Sequence, residues 1–117
     1  MQLIAPINTT HIYVMESNDL VKIGISNDPK ARLATMTTGS PIIIELVWKL
    51  ELPRPLAHTA ERAAHIVLAE RGRWSHGEWF NCTTKIAIDV IEKVLYVLAL
   101  QEGTKHESLK TPAKSAA

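Results

Sequence analysis

The chain has 117 residues, enough for one hydrophobic core and too few for two. Hydrophobic residues make up 46% and charged residues 21%, a globular balance that excludes a disordered chain. The formal net charge of +1 does not by itself announce a nucleic-acid binder, although acids and bases can still segregate onto different faces.

In chain order, the opening MQLIAPINTT lacks the charged start and long apolar run of a secretory signal, which fits a cytoplasmic protein. His11-Ile12-Tyr13-Val14-Met15 is β-branched and aromatic and predicts a strand. Ser17-Asn18-Asp19 is turn chemistry, and Leu20 to Ile25 alternates as a returning antiparallel strand would, giving a hairpin. Asp28 is placed to cap a short helix whose first position is Pro29, where the missing N–H costs nothing. That helix should stop before the breakers Thr38-Gly39-Ser40-Pro41. Ile42 to Leu50 is the most strand-like stretch, expected to be a central strand buried on much of both faces.

Pro53-Arg54-Pro55 ends that strand and begins a helix running to about Arg71. On a helical wheel Leu56, Ala60, Ala63, Ala64 and Val67 share the face expected to meet the sheet. His58, Arg62, His65 and Ala69 fall on the far side, and Glu61 sits at the margin. Gly72 ends the helix. Trp74 to Phe80 reads as a loop or short strand, and the lone Cys82 excludes an internal disulfide. Thr83 or Thr84 caps a third helix through about Gln101. Within it, Ile86 to Leu100 carries Asp89, Glu92 and Lys93 and is no membrane span. Its apolar residues cover more than one stripe, which predicts deep burial or, alternatively, an oligomer interface. The expected fold is α/β in the α+β sense, a small antiparallel three-stranded sheet flanked by helices, in the order β-β-α-β-α-(loop)-α. One domain is expected over residues 1–101, followed by a disordered tail over 102–117.

In that layout His11-Ile12-Tyr13, Lys22-Ile23-Gly24, Arg32 and Glu61 together resemble the GIY-YIG nuclease superfamily. Lys22-Ile23-Gly24, Thr38-Gly39-Ser40-Pro41 and Gly77-Glu78-Trp79-Phe80 resemble a phage-associated branch of it, whose members are often described only as DNA-binding domains. The resemblance extends from about His11 to Phe80. It implies an endonuclease that hydrolyses DNA phosphodiester bonds with one Mg2+ or Mn2+ ion, in a bacterial or phage-infected cytoplasm.

The implied roles suit the residue types, because hydrolysis needs an oriented water, neutralised phosphoryl oxygens and help for the leaving oxygen. Tyr13 would hydrogen-bond the water or, if deprotonated, accept its proton. Arg32 would hold the scissile phosphate with a planar, permanently charged fork. Glu61 would bind the metal, with waters completing the shell. Many family members open the second tripeptide with another tyrosine; Lys22 stands there instead. It either lowers the pKa of Tyr13 and contacts phosphate, or signals lost catalysis, or is an edge charge facing solvent.

Gly24, His65 and Glu78 are candidate supporting residues, and Lys30, Arg54 and Trp74 candidate DNA contacts. Lys22, Lys30, Arg32, Lys49 and Arg54 form either one basic surface or scattered solvated charges. His58, Glu61 and His65 share a broad helix face on which zinc is a lesser alternative to magnesium. Trp74, Trp79 and Phe80 either stack on bases or, as favoured for Trp79 and Phe80, seal the core. Asn81 falls near the late asparagine of many family members. Whether the DNA is single- or double-stranded stays open, as does a homodimer through the third helix or a partner supplying specificity. The alternative from another class is a DNA-binding module on the same fold that does not cut.

Overall fold

A computed structural model describes residues 8–110, with side chains described up to residue 102. Strands β1 (Thr9–Ser17) and β2 (Leu20–Ser26) form the expected antiparallel hairpin. Ser17 pairs with Leu20, so the tip is a two-residue turn, and Asn18 takes the left-handed conformation at φ 54°. Helix α1 (Pro29–Thr37) starts as its sequence dictates: the Asp28 carboxylate accepts from the Ala31 N–H at 3.1 Å, with Pro29 in the first turn.

Strand β3 (Glu45–Pro53) corrects two expectations. It begins three residues after Ile42, leaving Ile42 and Ile43 exposed in the preceding loop, and it is an edge strand rather than a central one. Among the described residues it pairs only with β1, and it alternates between half-buried and exposed positions over most of its length. A run of apolar residues reports propensity and not the number of neighbours, and here one side of the ladder stays open.

Helix α2 (Arg54–Glu70) ends before Gly72, whose φ is 75°. Its buried residues are Ala57, Ala60, Ala64 and Leu68, a stripe rotated from the expected one: Leu56, Ala63 and Val67 lie at its margin. The stretch Trp74–Phe80, read as a loop or short strand, folds into a second hairpin of β4 (Trp74–His76) and β5 (Trp79–Phe80). β5 pairs with β2, so among the described residues the sheet has five antiparallel strands in the order β3-β1-β2-β5-β4 instead of three.

Helix α3 (Thr84–Lys110) is capped by Thr83, whose hydroxyl accepts from the Ile86 N–H at 3.1 Å. It continues past the expected end at Gln101, and of the expected tail residues 111–117 lie outside those described. Ala87, Val90 and Ile91 are buried, but Tyr96, Val97 and Leu100 are exposed. Deep burial therefore holds only for the first half of the helix, because α2, the element it packs against, is shorter than α3. Among the described residues no helix is long and apolar enough to cross a membrane.

Strand periodicity divides β1 and β2 between two faces. Ile12, Val14, Val21 and Ile23 meet Ala60, Ala64 and Leu68 of α2, Ala87, Val90 and Ile91 of α3, and Phe80. Tyr13, Met15, Lys22 and Gly24 point to the other face, towards α1. The helices of the core face support the sheet, and the opposite face carries the site.

Candidate active site

Tyr13 and Gly24 are cross-strand partners in the β1–β2 ladder. The phenol lies over the glycine: a Cβ built at position 24 would fall 2.6 Å from Tyr13 Cζ and closer still to Oη. Only glycine leaves room for that ring, which is 1% exposed. Arg32 projects from α1, near enough for its guanidinium to influence the phenol. Burial raises the Tyr13 pKa above the ordinary tyrosine value, the Arg32 hydrogen bond and charge oppose that rise, and Glu78 and Glu61 add to it.

Lys22 follows the same face and is buried, not a solvent-facing edge charge. Its ammonium donates to Glu78 Oε1 at 2.7 Å, and the carboxylate stands 45% exposed at the β4–β5 turn. The register explains the meeting: Lys22 opposes Trp79, which directly follows Glu78. An ammonium in so closed a place requires a partner, and Glu78 is that partner.

Glu61 belongs to α2, on the core side of the sheet, yet it feels the charges of Lys22 and Glu78 and in turn influences Tyr13. The short β5 makes this possible. It covers β2 only at Val21 and Lys22, with one further bond from the Ile23 N–H to the Glu78 carbonyl, so the Ile23 carbonyl is left free. His65 takes that carbonyl at 2.8 Å through Nε2, which therefore carries the proton. The same imidazole rests 5.1 Å from the Phe80 ring. His65 thus faces inward, against the expectation of a far-side position, and pins α2 where Glu61, one turn earlier, passes round the strand edge. Burial raises the Glu61 pKa above the ordinary carboxylate value; His65 opposes it, Glu78 adds to it, and His58 and Lys22 oppose it further.

The basic residues do not form one open surface. Arg54 is spent on structure, donating to Asn8 Oδ1 at 3.2 Å, the Thr9 carbonyl at 3.2 Å and Asn27 Oδ1 at 2.8 Å. It ties the start of α2 to the start of β1 and to the start of the β2–α1 link. Lys30 and Lys49 are exposed, as is Arg32. Trp74 is 58% exposed, with its indole N–H fixed to the Gly77 carbonyl at 3.0 Å. Phe80 seals the core as expected, Trp79 is half-buried, and Asn81 is an exposed residue whose backbone bonds to Arg73.

Among the described residues no three His, Cys, Asp or Glu side chains group as a metal cluster. The donor set fits a hard ion better than zinc. Glu61 and the exposed side of Glu78 offer carboxylate oxygens, which suit a magnesium ion that keeps most of its waters. His65 has given Nε2 to the Ile23 carbonyl, which removes one of the nitrogens a zinc site would need. Cys82 is buried, its thiol pKa raised by that burial, and plays no part in the site.

Sequence reasoning named every one of these side chains and missed two relations. The cradle at Gly24 was signalled by a glycine inside a strand; the His65–Ile23 bond had no signal, because it depends on how short β5 is. A family model described as the T5orf172 domain matches residues 10–95, which include every residue of the site. Comparison with curated proteins and with solved structures gave no match.

Proposed function

The chain belongs to the T5orf172 domain family, and from that membership we propose that it is a metal-dependent DNA endonuclease of the GIY-YIG kind, with low intrinsic sequence specificity. The domain is phage-associated and occurs in some GIY-YIG-like nucleases. The observation that carries the reading is the gathering of Tyr13, Arg32 and the Lys22–Glu78 pair on one sheet face, with Glu61 of α2, across the strand edge, close enough to share their charges.

Each residue has a task that its surroundings allow. Arg32 is exposed beyond the phenol and offers its remaining N–H groups to a phosphoryl oxygen. Tyr13 orients the attacking water through its hydroxyl, and burial favours the neutral phenol while the Arg32 charge opposes it. Lys22, held by Glu78, supplies positive charge in the place where many relatives of the GIY-YIG kind carry a second tyrosine. Glu61, with Glu78 beside it, would hold one Mg2+ or Mn2+. That ion would neutralise developing charge on the phosphate and acidify its own water. Its charge would also draw Glu61 to the ionised form against the effect of burial.

The test is cleavage of labelled single- and double-stranded DNA with Mg2+ or Mn2+, for the wild type and for Glu61→Gln and Tyr13→Phe. Metal-dependent cutting that both variants lose supports the reading. DNA binding without cutting under every metal replaces it with a binding module on the same fold.

A further inference from the structure

Beside the site the same sheet face opens into a cleft of about 370 Å3, within the range of small-ligand pockets. Its walls are Leu20, Met36, Ile42, Ile44 and Trp79, and Ser17, Asn18 and His76 stand among them. The walls are apolar and include one aromatic plane. The hydroxyl, the amide and the imidazole supply donors and acceptors in small number, the mixture that suits a flat, polar-edged ring.

Two placements tie the cleft to the phosphate-binding groups. Met36 follows Arg32 by four residues on α1, so it lies on the same helix face about 6 Å further along. Trp79 is the register partner of Lys22 across β2 and β5. The cleft therefore begins one helical turn from the guanidinium and one strand from the ammonium. That is the reach of a nucleotide from its phosphate to its own base.

We propose that this cleft receives one unpaired nucleobase of the DNA strand whose phosphate is held at Arg32 and Lys22. The proposal rests on the nuclease reading above and names the substrate class within it: DNA with an unpaired or readily unpaired nucleotide at the cut. A base in a perfect duplex must leave its stack to enter such a pocket, and that cost is least for a base already unpaired. Contact with an aromatic plane tolerates any base, which agrees with low sequence specificity.

The full chain is tested by equilibrium binding in EDTA, which separates binding from cutting. The probes are a labelled single-stranded oligonucleotide and the same strand in a perfect duplex. Ile42→Trp fills the cleft from an exposed loop position. Ile43→Trp makes the same chemical change one residue away, at a side chain that is more exposed and does not line the cleft. The expected result is single-strand binding about tenfold tighter than duplex binding, the scale of one stacked base. Ile42→Trp should erase that difference while leaving duplex binding unchanged, and Ile43→Trp should alter neither. Equal affinity for both probes overturns the base pocket, as does an Ile42→Trp result that matches Ile43→Trp. Binding of neither probe by the wild type, in EDTA and again with Ca2+ in its place, overturns the nuclease reading and the pocket with it.

Discussion

The Tyr13 ring occupies the space that any side chain at Gly24 would need, with Cζ 2.6 Å from where the Cβ would stand. Both residues lie on paired backbones, so neither can step aside without disturbing the ladder. Gly24→Ala should displace the phenol, cost about 1–3 kcal/mol of stability, and lower cleavage by about tenfold or more. In a Tyr13→Ala background the same substitution should be close to neutral, and a double-mutant cycle of melting midpoints checks this. A full penalty in that background would mean that the ring is not the obstacle.

The Lys22–Glu78 pair is unequal, since one partner is buried and the other half-exposed. Glu78→Ala strands an ammonium away from water and should cost about 1–3 kcal/mol. Lys22→Met leaves a carboxylate that water can reach and should cost under about 1 kcal/mol, while reducing DNA binding. Chemical denaturation of both variants gives the comparison, and equal costs would contradict the asymmetry.

Glu61 holds its proton more tightly in the fold than in the unfolded chain. At neutral pH the unfolded carboxyl is ionised, and the charge is less favourable in the fold than in the unfolded chain, so the residue opposes folding there. This penalty vanishes as pH falls below the ordinary carboxylate value. Glu61→Gln should therefore raise the metal-free melting midpoint at neutral pH by on the order of a degree or two, with no gain in acid. Cleavage should be abolished. Metal affinity should fall as pH drops through the raised pKa of Glu61, measurable by calorimetric titration with Mn2+.

Arg54 is engaged through Nε and Nη2 with Asn8, Thr9 and Asn27. Arg54→Ala should lower stability by about 1–2 kcal/mol and leave DNA affinity, compared in folding conditions, within about twofold. A large loss of affinity with unchanged stability would return Arg54 to the DNA-binding surface.

The local parts of this architecture were legible in the sequence. Asp28-Pro29 marked the start of α1, Ser17-Asn18-Asp19 the hairpin turn, and Gly72 the end of α2, because each is a backbone requirement met by few residue types. The site residues were legible only as a pattern of four elements in order, since a lone arginine or glutamate on a helix carries no signal. Non-local facts were hidden. The edge position of β3, the pairing of β5 with β2 and the half-bare α3 depend on which neighbours arrive, and periodicity reports only which faces are apolar. His65 shows the limit most plainly. The wheel placed it outside, and an unpaired carbonyl on a strand more than one helix away in sequence drew it in.

The phenol, the ammonium and the guanidinium come from β1, β2 and α1, consecutive elements joined by short links, while the carboxylate comes from α2, beyond β3. Contacts close in sequence form fast, and those that must close a longer loop form later. A chain emerging from the ribosome can thus assemble its β1–β2–α1 half before α2 has docked over the strand edge. Until His65 reaches the Ile23 carbonyl, that half lacks its acid. The order of synthesis itself then brings Glu61 and, later still, the Glu78 partner of Lys22 to groups that are already in place.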